Sequence, residues 1–323
     1  MKSEIIEFRK LLEGATNIAI VAHERPDGDA IGSLIALSLS LQKAGKQVTP
    51  ILADGVPTRF QFLPGADEIK RTFPIECNLL IVLDCSDVVR TGFKVEDLPR
   101  GVDINVDHHP TNTHYGIVNV VDAYASATAE ILFDLAEPLG LEIDSRVAMN
   151  LLTGLVTDTI GFRTTNVTPK VLQIVAQLIE LGAPLAEIYE RALNRRSVTV
   201  ARYWGCGLSR LEQEDGLVWT SLTLEDRQHV GYSGKDDADL INLLSTIDGA
   251  EVTVIFVEQP EGAVKVSWRS RAGLNIAPLA EAFGGGGHHQ AAGAMIVGDL
   301  EEVTKRVISA TRGILESESE TSR

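Results

Sequence analysis

The stretch NIAIVAHERPDGDAIGSLIALSLSLQKAG, residues 17–45, decides the fold. Residues 17–23 form a short apolar run that predicts a buried strand, and residues 30–44 follow a helical pattern that a glycine ends. Between them, Pro26 and Gly28 favour a tight turn instead of a helix. A strand, an acidic turn and a helix in this order predict the first unit of an α/β sheet, which presents its binding groups where a strand ends.

The rest of the first half repeats this alternation, with apolar runs that are continuous, as buried parallel strands are. The predicted strands are 47–54, 78–84, 103–107 and 116–121, and the predicted helices are 126–139, 145–155, 169–181 and 184–194. We therefore expect an N-terminal α/β domain built on a parallel sheet with helices on both faces.

From residue 217 the pattern changes to that of a smaller α+β domain. It has predicted strands at 217–223, 251–257 and 264–270 and helices at 238–247, 275–283 and 300–314. The expected organisation is a catalytic domain at 1–190, a helical linker at 191–213, a substrate-binding domain at 214–315 and a disordered acidic tail at 316–323.

Composition limits the class of protein. The formal net charge of −16 argues against a tight, sequence-independent grip on long nucleic acid, which depends on many contacts between basic side chains and phosphates. No apolar run reaches the roughly eighteen residues that suggest a membrane helix, so we expect a cytoplasmic protein with no membrane partner. Cys77, Cys85 and Cys206 show no Cys-x-x-Cys spacing and indicate neither a disulfide framework nor a thiolate zinc site.

Aspartates and histidines follow several of the predicted strands. They are His23, Asp27, Asp29, Asp84, Asp107, His108, His109 and, within a helical region, Asp158. Two carboxylates about 4 Å apart repel by roughly 4 kcal/mol at an effective dielectric constant near 20, so a convergent set needs compensating cations. Asp84, at the end of its strand, is well placed to bridge two metals. The sequence therefore predicts a site for two divalent ions.

The ligand chemistry narrows the choice of metal. Carboxylates with imidazoles and no thiolate suit manganese or magnesium better than structural zinc. We expect Mn²⁺ because imidazoles are present, while Mg²⁺ and Co²⁺ remain possible and spacing excludes neither iron nor zinc.

A second candidate site lies in the C-terminal half. Four glycines, 284–287, precede His288, and we expect backbone amides of Gly285, Gly286 and Gly287 to approach a bound anion. Arg269 and Arg271 fall on one face of the preceding strand, and a guanidinium holds a phosphate through two parallel hydrogen bonds. Solvent exposure is an equally good interpretation of Arg271.

Taken together, these motifs resemble a known family. HERPDGDAIGS at 23–33, LDCS at 83–86, DHHP at 107–110 and GLVTDT at 154–159 are similar to the four successive motifs of the DHH phosphoesterases. VSWRSR at 266–271 and GGGGHHQAAG at 284–293 resemble the associated DHHA1 domain. The order of the motifs is that of the short two-domain branch, which contains nanoRNases and pAp phosphatases. One departure is Ile160, where a glycine is usual.

The resemblance implies residue roles. It assigns His23, Asp27 and Asp84 to one metal, and Asp29, Asp84, His108 and Asp158 to the other. It further implies that Asp107 orients His108, as metal-bound histidines commonly require, that His109 faces the phosphate, and that Arg269 and His288 hold a terminal phosphate. A backbone-capping role for Asp107 is the alternative.

The function that the resemblance implies is hydrolysis of short oligoribonucleotides to mononucleotides and removal of the 3′-phosphate from 3′-phosphoadenosine 5′-phosphate (pAp). A phosphate held by the second domain would act as a ruler that favours short substrates. A RecJ-like single-strand exonuclease, a cyclic or linear dinucleotide phosphodiesterase and a regulator without turnover are the alternatives, and a homodimer is possible.

Overall fold

The computed structural model describes residues 2–271 and 273–321, without the side chains of His288 and 316–321. Its backbone divides into two compact units, Met1–Arg195 and Arg196–Arg323. The division falls inside the segment 191–213 that was expected to link the domains.

The first unit contains five strands, six α-helices and several short 3₁₀ helices among its described residues. The strands are β1 (Asn17–Val21), β2 (Gln47–Ile51), β3 (Leu79–Leu83), β4 (Ile104–Asp107) and β5 (Val118–Val121). The helices are α1 (Lys2–Gly14), α2 (Gly28–Lys43), α3 (Thr128–Leu139), α4 (Ser145–Asp158), α5 (Pro169–Glu180) and α6 (Leu185–Ile188), which continues as a π-helix over Tyr189–Asn194.

The five strands form one parallel sheet in the order β2-β1-β3-β4-β5. Alternate residues of β1 enter different cores: Ile18 and Ile20 pack with the large apolar side chains of α1 to α6, whereas Ala19 and Val21 face the other side. That second side is covered by segments containing the 3₁₀ helices Val88–Thr91 and Val95–Asp97. The predicted helices on both faces are thus present, but those of the second face are short 3₁₀ turns.

Two glycines let α2, α3 and α4 approach closely. A Cβ at Gly32 would lie 2.4 Å from the carbonyl oxygen of Asn150, and one at Gly154 would lie 2.5 Å from Oδ1 of Asp29 and 2.7 Å from the Cβ of Ala129. Any larger residue would push these helices apart. The close packing brings the start of α2, the start of α3 and the end of α4 together.

The second unit contains a mixed six-stranded sheet. Its elements are α7 (Val198–Leu208), β6 (Glu212–Glu214), β7 (Leu217–Leu222), α8 (Leu224–Val230), α9 (Leu240–Leu244), β8 (Val252–Gln259), β9 (Ala263–Ser270), α10 (Ala277–Ala282), β10 (Gly286–His288), β11 (Ala291–Val297) and α11 (Leu300–Thr321). The sheet order is β10-β11-β9-β8-β7-β6, with β7 and β8 parallel and the other neighbours antiparallel.

Two cores hold this sheet to its helices. Trp268 and Val254 pack with α10 and α11 on one face, and Ile255 and Val257 pack with Tyr203 of α7 and with α9 on the other. The smaller α+β domain expected from the sequence is therefore present. The expected disordered tail differs from the structure, because the backbone of α11 stays helical to Thr321, and the last two residues lie outside the described part.

Within the described residues, no single helix is long and apolar enough to cross a membrane. The pair Pro169–Glu180 and Leu185–Asn194, bent by 110° at its break, satisfies the length and composition requirement jointly. Both members contribute residues such as Ile174 and Ile188 to the core of the first unit.

Candidate metal centre

The candidate metal ligands gather at the carboxyl edge of the parallel sheet. His23 follows β1, Asp84 follows β3, and His108 follows β4. The order of strands reverses between β1 and β3, and such a reversal is where α/β sheets open a crevice for ligands. The topology therefore explains why residues far apart in sequence meet here.

One cluster consists of His23, Asp27 and Asp84. Nε2 of His23 lies 3.7 Å from Oδ1 of Asp27 and 3.5 Å from Oδ2 of Asp84. The other ring nitrogen, Nδ1, lies 2.7 Å from the carbonyl oxygen of Glu24, which can only accept a hydrogen bond. Nδ1 therefore carries a proton and Nε2 is turned toward the two carboxylates, as a metal-binding imidazole is.

A second cluster consists of Asp29, His108 and Asp158. Nε2 of His108 lies 3.5 Å from Oδ2 of Asp158 and 3.6 Å from Oδ1 of Asp84. Nδ1 of His108 lies 3.4 Å from the carbonyl oxygen of Ala125, so this ring also directs Nε2 to the carboxylates. The structure thus brings together all six side chains predicted to bind metal.

Asp84 lies between the two clusters: it belongs to the first, and with His108 and His109 it forms a third group of possible ligands. Its Oδ2 faces His23 and its Oδ1 faces His108, while the side chain is almost completely buried. Its φ of 52° lies in the left-handed region, which an aspartate tolerates better than most residues. Thr128 fixes the carboxylate further, because its hydroxyl donates a hydrogen bond of 3.0 Å to Oδ1.

Asp29 has a second role at the start of α3. Its Oδ2 accepts a hydrogen bond of 2.6 Å from the backbone N–H of Thr128, and its Oδ1 accepts bonds from the backbone N–H of Ala129 at 3.0 Å and the hydroxyl of Ser33 at 3.1 Å. The N-terminus of a helix carries unpaired N–H groups and a partial positive charge. Asp29 therefore caps α3 as well as joining the second cluster.

Asp158 ends α4 immediately before a turn of unusual backbone. Ile160 has a φ of 49° in this turn, and a β-branched side chain is strained in the left-handed region. This explains why a glycine is usual at that position, while the carboxylate of Asp158 keeps its place beside His108.

Electrostatics in the centre are dominated by uncompensated negative charge. Burial, with the neighbouring Asp84 and Asp158, raises the pKa of Asp29 well above its usual value. Burial also raises the pKa of Asp158 to about 7, although His108 opposes the shift. Both carboxylates therefore lack sufficient positive charge around them from the protein itself.

The pKa values of the two histidines in the centre are also raised, which favours the positively charged form of their rings. Burial lowers the pKa of His23, but hydrogen bonds with Asp27 and Asp84 outweigh it and hold the value well above the ordinary one. Burial also lowers the pKa of His108, but the negative charges of Asp158 and Asp84 outweigh it and raise the pKa to about 9. The protons on Nε2 of these two rings therefore lie between the rings and the neighbouring carboxylates, where the carboxylates would also attract a metal cation.

The donor set fits divalent cations. Carboxylate oxygens and correctly oriented imidazole nitrogens are the ligands of Mn²⁺, Mg²⁺, Co²⁺ and Zn²⁺, and the clusters lack a thiolate. Cys85 follows Asp84 directly, but burial raises the pKa of its thiol to about 12, which makes it a poor ligand or nucleophile.

The role predicted for Asp107 needs correction. Its Oδ1 accepts a hydrogen bond of 2.7 Å from Nδ1 of His109 and one of 2.9 Å from the backbone N–H of His108. The ring it orients is therefore that of His109, whereas the ring of His108 is directed toward Ala125. The resemblance assigned Asp107 to the ring of His108, whereas in the structure Asp107 holds the ring of His109 and accepts the backbone N–H of His108, as the backbone-capping alternative allowed.

The candidate phosphate clamp lies in the second unit and centres on Arg269. Its Nη1 donates a hydrogen bond of 3.0 Å to the carbonyl oxygen of Trp268, while its buried Nε has no partner among the described residues. Burial lowers the pKa of Arg269, with Asp237 and Asp239 opposing the shift. An unsatisfied guanidinium donor suits an anionic ligand. Arg271 is exposed just beyond the end of β9, as the alternative interpretation allowed.

The glycine run has a packing role that the sequence argument did not foresee. A Cβ at Gly285 would lie 2.1 Å from the carbonyl oxygen of Gly293, and one at Gly287 would lie 2.4 Å from that of Ala291. Gly286 begins β10, which pairs with β11. The N–H of Gly285 donates to the carbonyl oxygen of Ala280 at 2.8 Å, so this amide is not directed at an anion.

Gly285 therefore departs from the expectation that its amide approaches an anion, whereas Gly286 and Gly287 stay candidates for that role. The prediction for the side chain of His288 lies outside the described side chains.

Two residues near the centre escaped the sequence analysis. Thr128 bonds Asp84 with its hydroxyl and Asp29 with its amide, and Asn112 donates to Asp107. Thr128 belongs to no recognisable motif, so the sequence carried no signal for it. Asn112 lies only three positions after His109, and its closeness to that motif was a signal that could have identified it.

The fold and the site together define a class, a two-domain α/β protein with a candidate carboxylate–imidazole metal site at the edge of a parallel sheet. Two family models match the chain, "DHH family, N-terminal domain" over residues 17–156 and "DHHA1 domain" over residues 220–313. The chain belongs to the DHH phosphoesterase family, in the branch that carries a DHHA1 domain.

Similar proteins extend over almost the whole chain. It is 39% identical over 316 residues to the bifunctional oligoribonuclease and PAP phosphatase NrnA of Thermus thermophilus, covering 95% of this chain and 92% of that protein. It is 30% identical over 307 residues to the NrnA of Bacillus subtilis, covering 92% and 93%. A crystal structure of an exopolyphosphatase-related protein from Bacteroides fragilis, 27% identical, superposes with a TM-score of 0.88 over 98% of this chain and 96% of that one.

Proposed function

We propose that this protein is a two-metal phosphoesterase that hydrolyses short oligoribonucleotides to mononucleotides and converts pAp to AMP and phosphate. The relatives named for these two activities are matched over more than nine tenths of the chain. A cytoplasmic location would give the enzyme access to RNA fragments and to pAp.

The observation that carries the proposal is the division of Asp84 between two clusters. One carboxylate oxygen lies 3.5 Å from Nε2 of His23 and the other lies 3.6 Å from Nε2 of His108. A carboxylate with one oxygen toward each of two ligand groups suits a pair of cations separated by about 3.5–4 Å, the spacing of two-metal phosphoesterases.

The proposed ligands are His23, Asp27 and Asp84 for one ion and Asp29, His108 and Asp158 for the other. The family resemblance adds Asp84 as a shared ligand of the second ion, and its Oδ1 lies 3.6 Å from Nε2 of His108. When bound, divalent cations supply Lewis-acid chemistry that offsets the charge of the phosphoryl group and acidifies water. We propose Mn²⁺ as the preferred ion, with Mg²⁺ and Co²⁺ as alternatives.

The other residues bind and orient. We propose that His109, held by Asp107, contacts the scissile phosphate and supplies positive charge or a proton near the leaving oxygen. The guanidinium of Arg269 would bind a second phosphate of the substrate, which favours pAp and short oligonucleotides over substrates with one phosphate. Arg271 and the residues around His288 are further candidates for this role.

Product analysis by mass spectrometry tests the proposal. The full chain, freed of metal by a chelator, is supplied with Mn²⁺, Mg²⁺ or Co²⁺ and with pAp, a dinucleotide, a much longer RNA or a cyclic dinucleotide. We expect AMP and phosphate from pAp and mononucleotides from the dinucleotide, only when metal is present. Asp84→Asn should abolish both reactions. Asp122→Asn, which alters a turn that caps the amide of Tyr124, should leave both unchanged.

Each alternative function predicts a different product pattern. Undiminished activity in excess chelator would rule out the metal-dependent mechanism. Faster cleavage of the long RNA than of the dinucleotide would favour a RecJ-like exonuclease, and preferential opening of the cyclic dinucleotide would favour a cyclic dinucleotide phosphodiesterase.

A further inference from the structure

A chain of buried polar side chains lies behind His109. Asn105 and Asp107 both belong to β4 and point to the same side of the sheet, opposite to Ile104 and Val106. Both polar side chains are completely buried. Asn112, in the loop that follows β4, connects them through its side-chain amide.

The direction of every hydrogen bond in this chain follows from counting donors and acceptors. Nδ2 of Asn112 lies 2.6 Å from Oδ2 of Asp107 and 2.8 Å from Oδ1 of Asn105, and it donates to both. Its Oδ1 accepts a bond of 2.8 Å from the backbone N–H of His114, so the amide has only one satisfactory orientation.

The chain ends in a fixed backbone acceptor. The hydroxyl of Tyr115 donates a bond of 2.8 Å to the carbonyl oxygen of Cys85, and it therefore accepts the bond of 3.0 Å from Nδ2 of Asn105. Asn112 therefore donates in two directions: one bond begins the series that runs through Asn105 and Tyr115 to the carbonyl oxygen of Cys85, and the other goes to Asp107.

The consequence for His109 follows from the two oxygens of Asp107. Oδ2 is held by Asn112, and Oδ1 accepts from the ring of His109 and the backbone N–H of His108. With both oxygens engaged, the plane of the carboxylate is fixed, and so is the direction from which the ring of His109 is held. Removal of the amide of Asn112 would leave Oδ2 buried without its short bond.

We propose that Asn112 is a positioning residue that fixes Asp107 and, through it, the ring of His109. The catalytic part of this inference rests on the proposed phosphoesterase function. The positioning part concerns only the orientation of an imidazole and can be measured without turnover.

The experiment compares Asn112→Ala and Asn112→Asp with the same substitutions at Asn119. Asn119 is a matched control because its side chain closes the neighbouring turn through bonds with the backbone of Gly116 at 2.9 and 2.6 Å instead of bonding Asp107. Asn112→Asp preserves size but replaces the donor with an acceptor beside a carboxylate, whereas Asn112→Ala removes the group without adding charge.

Three quantities are measured on the full chain. They are kcat and KM for pAp in saturating Mn²⁺, bound manganese by elemental analysis, and the NMR resonance of the His109 Nδ1 proton in metal-free protein, assigned with His109→Gln. Partners behind a metal site typically change activity by about 10–100-fold, so we expect both Asn112 variants to lower kcat by that factor. KM and bound manganese should stay within about threefold and the Nδ1 proton resonance should shift or broaden, whereas the Asn119 variants should match the wild type.

The inference is overturned if kcat and the His109 resonance of both Asn112 variants are those of the wild type. It is also overturned if lost manganese accounts for the whole loss of activity, because Asn112 would then support the metal centre and not the ring. If the wild-type protein does not hydrolyse pAp at all, the proposed function fails, while the His109 resonance still decides whether Asn112 holds the ring.

Discussion

Thr128 allows a direct test of how Asp84 is held in the metal centre, because threonine and valine have nearly the same shape and differ by the hydroxyl that bonds Asp84. The Thr128 hydroxyl is completely buried and donates to Oδ1 of Asp84 at 3.0 Å. Thr128→Val removes this bond with little change of shape, and a hydrogen bond to a charged group contributes about 1.5–3 kcal/mol to stability. Thr128→Ser keeps the hydroxyl and loses a methyl group, which costs about 1 kcal/mol.

We therefore expect Thr128→Val to lower the free energy of unfolding of the first unit by about 2 kcal/mol and Thr128→Ser to lower it by about 1 kcal/mol. Thr153→Val is the matched control, since Thr153 is equally buried but donates to the neutral carbonyl oxygen of Met149 within α4. It should cost less than about 1 kcal/mol, because its acceptor carries no charge and still accepts a helical bond.

The assay is urea unfolding of chelator-treated protein, followed by far-UV circular dichroism and by hydrogen exchange of peptides around residue 128. All three tryptophans, Trp204, Trp219 and Trp268, lie in the second unit, so tryptophan fluorescence reports that unit separately. The reasoning is refuted if Thr128→Val is no more destabilising than Thr128→Ser or Thr153→Val. Such a result would mean that the hydroxyl does not hold the charged form of Asp84.

Three further predictions concern the second unit. Gly285→Ala places a Cβ 2.1 Å from a backbone carbonyl oxygen of β11 and should lower stability by about 2 kcal/mol in tryptophan-detected unfolding, whereas Gly286→Ala, with no atom within 4 Å of its Cβ, should cost far less. Arg269→Ala should raise KM for pAp by at least about tenfold without changing bound manganese, since the lost group is proposed to bind phosphate and not metal; manganese loss would contradict this division of roles. Burial raises the pKa of Asp226, but its bond to Arg210 outweighs burial and lowers the pKa from 3.8 to about 2 in the folded state. The ionised carboxylate therefore contributes its full stabilisation of the folded state above about pH 4, and this contribution is lost as the pH falls toward 2. Urea midpoints measured between pH 5 and pH 2 should therefore decline more steeply in the wild type than in Asp226→Asn, and parallel curves would contradict the assignment.

The sequence predicted the first unit well because its signals are local. β1 and β3 are nearly continuous apolar runs, and acidic or histidine-containing turns follow the ends of β1, β3 and β4, so β1, α2 and the positions of Asp84 and His108 could be placed without knowing the tertiary structure. The family prediction made from these motifs is confirmed by the matching family models.

Features that depend on distant partners were not predictable in this way. β11 begins Ala-Ala-Gly-Ala, residues with weak strand preference, and it forms because β9 and β10 pair with it on both sides. Thr128 meets Asp29 and Asp84 across 99 and 44 positions of sequence. Similarly, the motif names both histidines after Asp107, but only the fold determines which ring its carboxylate reaches.

Hydrogen bonds to helix N-termini help to explain how the protein can bring Asp27, Asp29, Asp84 and Asp158 together in the absence of a bound cation. Asp27 accepts two backbone N–H groups at the start of α2, and Asp29 accepts two at the start of α3, so helix termini provide each of them with partial positive charge. Asp84 and Asp158 do not cap a helix, and the imidazoles of His23 and His108 lie against them instead. Protons held by these imidazoles offset part of the negative charge, and a cation that binds the ring nitrogens must displace them. The same two histidines can therefore offset the charge of the carboxylates in the folded centre and present a ring nitrogen to the proposed metals, and two further carboxylates could offer only the second of these.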